Sequence, residues 1–127
     1  SIKRHCGRIG AIEVFLSGPG LENWYEFCTG IKKNSREVVD LFRDGENEAT
    51  KIMDKYFERT ARAFSTFVNI LDPDVIVLGG GMSDIDEIYN EIPKKIIPYL
   101  ASDIFSTPIT KAKHGSSSGV RGAAHLW

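Results

Sequence analysis

The most regular pattern lies in the middle of the chain. Ala49, Ile52, Met53, Tyr56, Phe57, Thr60, Phe64, Phe67, Val68 and Leu71 recur at steps of three and four residues and mark one face of a long amphipathic helix. Asp72-Pro73 ends it, because proline disfavours helical backbone in the residue before it. The helical period is then lost: Val75-Ile76-Val77-Leu78 is apolar without alternation, which predicts a strand covered on both faces. Upstream, Leu21, Trp24, Tyr25 and Cys28 predict a short helix ending near Gly30. Ser35 is placed to cap another, with Val38, Val39 and Phe42 on its inner face.

Shorter patterns fill the two ends. Ile12, Phe15 and Leu16 fall at helical spacing before Gly18-Pro19-Gly20 breaks the element. Ile85, Ile88, Tyr89 and Ile92 predict a helix interrupted at Pro93, with Ile96, Ile97 and Leu100 resuming the pattern. Pro108 to Ala112 reads as a short strand and Val120 to Leu126 as a last short helix. Helices therefore outnumber strands, and only two strands are clear. A two-stranded sheet is marginal alone, and so many helices need a wider sheet to cover. The simplest repair places further strands before Ser1, so residues 1–127 are expected to be a single lobe, the C-terminal part of a larger α/β protein.

Composition narrows the function classes. A net charge of -1 over 127 residues gives no electrostatic case for nucleic acid or an anionic membrane. Two cysteines, Cys6 and Cys28, cannot build a disulfide framework, which points to a reducing cytoplasm. No apolar run approaches the ~20 residues that a membrane-spanning helix needs.

The chemistry-bearing candidates are glycines. In Asp74-Val-Ile-Val-Leu-Gly-Gly-Gly-Met-Ser83 the predicted strand runs straight into Gly79, Gly80 and Gly81. Ligands of open α/β sheets bind beyond the carboxyl ends of strands, and glycine lets backbone approach a ribose or base closely. A helix starting there would add free N–H groups and the positive end of its dipole. The alternative is a tight strand-to-helix turn with no ligand. Neither G-x-x-x-x-G-K-[ST] nor G-x-G-x-x-G occurs, so no P-loop and no dinucleotide fingerprint applies.

A second constellation, Cys6-Gly7-Arg8-Ile9-Gly10-Ala11-Ile12-Glu13, gains meaning from the motifs downstream of it. The order runs C-G-x-x-G-x-[IL]-E-x-x-x-S-G, a long helix, N-I-L-D-P-D-V-I-V-L-G-G-G, and K-A-K-H-G-x-S-S-G-V-R-G-A-A. It resembles the C-terminal half of ROK-family sugar kinases, most of all the bacterial fructokinase (manno-fructokinase) branch. The resemblance covers essentially the whole chain. It implies the C-terminal lobe of an actin-like, ribonuclease-H-like kinase that transfers phosphate from Mg2+-bound ATP to a hexose. Glu13 stands where the family's glutamate contacts sugar hydroxyls, and a carboxylate can accept from two of them. Gly79, Gly80 and Gly81 match the family's adenosine motif, and Gly18 lies where another loop nears the nucleotide. Arg121 is read as joining the last segment to the rest.

Two departures bear on chemistry. The family's metal knuckle is C-x-C-G-x-x-G-C with an upstream histidine, but here Arg4 and Ala11 replace the outer cysteines and Cys6 alone remains. One thiolate does not make a tetrahedral site, and His5, Cys28 and His114 have no ligand spacing, which argues against zinc. The family's catalytic aspartate and phosphate loops precede Ser1; Asp72, Asp74 and Asp84 read as helix-end and turn residues, not substitutes. The chain alone is therefore expected to be inactive. A cut lobe would uncover its sheet and cleft, which predicts a homodimer or larger association. The competing reading is the effector-binding lobe of a ROK-type sugar-responsive repressor; an assembly module that pairs with itself is a third.

Overall fold

A computed structural model describes residues 10–112 and the backbone of Ala124–Leu126. The elements run β1 (Ala11–Leu16), α1 (Pro19–Thr29), α2 (Ser35–Arg43), α3 (Asn47–Leu71), β2 (Val75–Gly79), a 3-10 turn (Gly81–Asp84), α4 (Asp86–Lys95), a 3-10 turn (Ile97–Tyr99), β3 (Ile109–Lys111) and β4 (Ala124–Leu126). The strands form one sheet in the order β3-β2-β1-β4. All three pairings are parallel. Three helices connect β1 to β2, as a parallel pair requires a long crossover.

Four strands appear where the pattern made two clear, and both additions come from within the chain. Residues 11–16 form a strand, not the expected helix, because Ile12, Val14 and Leu16 alternate inward while Ala11, Glu13 and Phe15 alternate outward. Six mostly apolar residues fit either period, and β-branched and aromatic side chains favour the pleated form. Ala124–Leu126 pairs alongside β1 from Val14 to Leu16, so the expected last helix is also a strand there. Residues 120–123 lie outside the described residues.

The register puts Ile12, Val14 and Leu16 beside Ile76 and Leu78 on one sheet face. These five are at most 2% exposed and join Val38, Met53, Phe57, Phe64, Ile88 and Ile92 in a single core. The other face carries Glu13, Phe15, Val75 and Val77, all half-buried. Among the described residues β2 is thus covered on one face, not on both as its apolar run suggested.

Helix ends follow local chemistry. Pro19 opens α1, and Gly30 closes it in the left-handed region at φ 75°. Asn34, one residue before the expected cap, forms a reciprocal capping box with Glu37 at α2. The long helix α3 is capped by the Glu46 side chain and ends at Asp72, immediately before Pro73. Pro93 does not interrupt α4, which continues to Lys95. It falls in the last turn, where one lost backbone bond costs little, and Ile97–Tyr99 follows as a 3-10 turn.

Candidate functional site

Because every strand pair is parallel, Leu16, Gly79, Lys111 and Leu126 end at the same edge of the sheet. That carboxyl edge is where the glycines stand. Gly80 has φ 87° and ψ 175°, a conformation essentially confined to glycine. A Cβ there would sit 2.4 Å from the Leu16 carbonyl oxygen. Gly80 is therefore a wedge between β2 and the end of β1. Gly79 lies under the Phe15 ring, whose nearest carbon would be 3.0 Å from an added Cβ. Gly81 differs from both. Its backbone is not left-handed, and a Cβ would meet nothing within 4 Å.

The open side of Gly81 belongs to a cavity of about 340 Å³, between the carboxyl edge and α2. Its walls are Ser35, Arg36, Val39, Asp40 and Arg43 from α2, with Gly81, Met82, Asp84 and Ile85 opposite. The turn that forms the second wall is tightly held. Ser83 donates to the Gly80 carbonyl through both its amide (3.1 Å) and its hydroxyl (2.7 Å). The Tyr89 hydroxyl donates to the Ser83 carbonyl at 2.7 Å. Burial, then the charges of Asp84 and Asp86, push the Tyr89 phenol up to about 12, so it stays a donor at neutral pH.

Ion pairs brace both walls. Arg43 of α2 grips Glu87 of α4 through Nε and Nη2, each 2.9 Å from a carboxylate oxygen. The guanidinium holds the Glu87 carboxyl below its usual range, and the same hydrogen bond raises Arg43. Lys111, ending β3, pairs with Asp84. At the start of α2, the Ser35 amide donates to Glu22 Oε2 at 2.8 Å. Gly18 packs against that joint: its Cβ would lie 2.7 Å from Ser35 Oγ. Gly18 thus bears on the cavity through the position of Ser35.

No α-helix begins directly at the glycines. The segment after them is a four-residue 3-10 turn, and α4 begins only at Asp86. The helices whose first turns stand at this edge are α1, opening at Pro19 just after β1, and α2, whose Ser35 and Arg36 line the cavity. Glu13 is not gathered into this cavity. It sits mid-strand opposite Val77 on the sheet's other face, two residues (about 7 Å) short of the level of Gly79.

Cys6, with Arg4, His5, His114 and Arg121, lies outside the described residues. Among the described residues no group of three or more His, Cys, Asp or Glu could hold a metal ion. No described helix is long and apolar enough to cross a membrane. The cavity residues of α2 were not legible in advance: Arg36 and Asp40 sit on the polar side of an amphipathic pattern and read as solvated surface. A larger cavity, about 500 Å³, opens at the opposite edge between the end of α3 and the residues before β3, lined by Asn69, Asp72, Asp74, Phe105 and Pro108 among others.

Comparison with known proteins bears on this arrangement. The chain is 44% identical over 121 residues to an N-acetyl-D-glucosamine kinase of Vibrio atlanticus, covering 95% of this chain and 40% of that protein. A protein of the same name from Haemophilus influenzae is 39% identical over 122 residues, covering 96% of this chain and 40% of the relative. The chain therefore spans 40% of the length of these relatives. Among solved structures, a ROK hexokinase from Thermus thermophilus superposes with a TM-score of 0.67 at 23% identity, over 78% of this chain and 34% of that one. A ROK family protein from Streptococcus pneumoniae solved with sucrose gives a TM-score of 0.64 at 15% identity, over 74% of this chain and 34% of that one. Both likenesses speak to the fold: a small parallel sheet with helices, as in the actin-like lobe. The ROK family profile matches residues 2–127, and with these relatives it establishes that the chain belongs to the ROK family.

Proposed function

We propose that the chain is the C-terminal lobe of an ATP-dependent hexose kinase of this family, and that its sugar is N-acetyl-D-glucosamine. The sugar assignment rests on the names of relatives 39–44% identical over nearly the whole chain. These names favour an amino sugar over the fructose that the motif resemblance suggested. They also favour an enzyme over a sugar-responsive repressor.

One observation carries the nucleotide half of the reading: Gly81, where an added Cβ would meet nothing within 4 Å, lines a cavity at the carboxyl edge of a parallel sheet. About 340 Å³ lies in the range of small-molecule sites. The ribose of ATP would lie against the Gly80-Gly81 backbone. Mg2+ would neutralise the phosphates during transfer, and this chain's described residues would act on the nucleoside end. Gly18 would act by holding α2 against β1. Glu13 would meet the sugar from the other sheet face, with the remaining sugar contacts and the catalytic aspartate supplied by the rest of the kinase. Homodimerisation and a cytoplasmic location belong to the same proposal.

A coupled ADP-release assay on the full-length kinase, with Mg-ATP and N-acetylglucosamine, glucose, mannose or fructose, tests the reading. N-acetylglucosamine is expected to give the highest kcat/KM. Turnover of fructose in preference would restore the fructokinase assignment, and no turnover with any sugar would sink the kinase reading.

A further inference from the structure

The cavity beside Gly81 carries four charged side chains, and two are already engaged: Arg43 with Glu87 and Asp84 with Lys111. The side chains of Arg36 and Asp40, one helical turn apart on α2, make no hydrogen bond or ion pair with the described residues. Asp40 is exposed and acts on Arg43 through its charge, but among the described residues it is the lining carboxylate that accepts no side-chain hydrogen bond. Three apolar lining residues, Val39, Met82 and Ile85, are at most 6% exposed and close the cavity toward the core. An apolar floor with a polar rim suits a planar heterocycle whose edge is read by hydrogen bonds.

We propose that Asp40 selects the nucleobase, its carboxylate accepting a hydrogen bond from the 6-amino group of adenine lying over Val39, Met82 and Ile85. The inference rests on the nucleotide reading of the cavity. The glycine wall, where backbone is bare, accommodates the ribose, and this leaves the α2 wall to the base. A carboxylate is an acceptor, so it pairs with a 6-amino group and opposes a 6-oxo group lone pair to lone pair. Sites built to bond a substrate N–H reject analogues that lack it, because their polar group is left unpaired. Inosine triphosphate differs from ATP at this edge and is the natural probe.

The experiment measures kcat/KM of the full-length kinase for ATP, inosine triphosphate and 2′-deoxy-ATP, in wild type and in Asp40→Asn. An amide can present either a donor or an acceptor, so Asp40→Asn is expected to reduce the preference for ATP over inosine triphosphate about tenfold. The sugar KM and the melting temperature should stay unchanged. An equal loss with ATP and inosine triphosphate, or a loss with ATP that disappears with 2′-deoxy-ATP, would overturn the base assignment; the latter would put Asp40 on the ribose. Gly81→Val separates this from the parent reading, since Gly81 lines the cavity and a Cβ there would meet nothing within 4 Å. If Gly81→Val leaves the KM for ATP unchanged, the cavity does not hold the nucleotide. If it raises that KM while Asp40→Asn leaves base preference intact, only the role of Asp40 fails.

Discussion

The two edges of the sheet differ in what their polar groups do. The amino edge holds the larger cavity, about 500 Å³, and the carboxyl edge the smaller, about 340 Å³. At the amino edge one lining side chain ties the chain together: Asn69 donates to the Tyr99 carbonyl and accepts from the Ala101 amide, joining α3 to the segment after α4. At the carboxyl edge the backbone is bare, the turn is pinned by Ser83 and Tyr89, and the exposed Asp40 and Arg36 side chains make no hydrogen bond or ion pair among the described residues. Volume alone would favour the first edge. Strand polarity and an unobstructed glycine favour the second. A site is marked here by chain direction and bare backbone, not by volume.

Substitutions at each edge put this difference to the test. The largest effect is expected at Gly80, where any Cβ meets the Leu16 carbonyl and the backbone conformation excludes other residues. Gly80→Ala should destabilise the fold by roughly 2–4 kcal/mol, read by denaturant unfolding. A loss below about 0.5 kcal/mol would show that the turn yields and is no wedge.

Next comes a matched pair of fillings. Gly81→Val should raise the KM for ATP by about tenfold, about 1.4 kcal/mol, with little change in stability. Ser106→Val, which narrows the larger cavity from an exposed position, should change that KM by less than about twofold. The reverse result would exchange the roles of the two edges.

Removing the carboxylate that receives the Ser35 amide tests how α2 is moored. Glu22→Gln should cost about 1 kcal/mol, because a charge-assisted bond at a helix start becomes a neutral one. An unchanged melting temperature would mean that packing of Gly18 against Ser35 suffices. The smallest effect belongs to Arg43–Glu87, whose side chains are 45% and 30% exposed. Solvent screening limits the pair to about 0.5 kcal/mol or less. Its pH dependence has a definite sign. Since Arg43 lowers the Glu87 carboxyl, the contribution is complete above the ordinary value of 4.5 and is lost as the pH falls through the lower folded value. Wild type and Glu87→Gln should therefore converge in stability at acid pH; a gap that persisted there would assign the effect to packing.

Much of this was legible in particular residues. The three-and-four spacing from Ala49 to Leu71 specified α3, and Asp72-Pro73 its end, because helix periodicity and proline geometry are local properties. Val75–Gly79 and the glycines after it were equally plain, as was membership of the family, carried by the order of its motifs. Residues 11–16 and 124–126 were not, because short apolar runs satisfy both periods until a neighbouring strand supplies hydrogen-bond partners. The site divides the same way. That three glycines end an apolar strand can be read from the chain residue by residue. That Gly80 is a wedge, that Gly81 faces open space and that Asp40 stands across from it emerges only on folding, because each depends on which distant backbone or helix lies within a few ångströms.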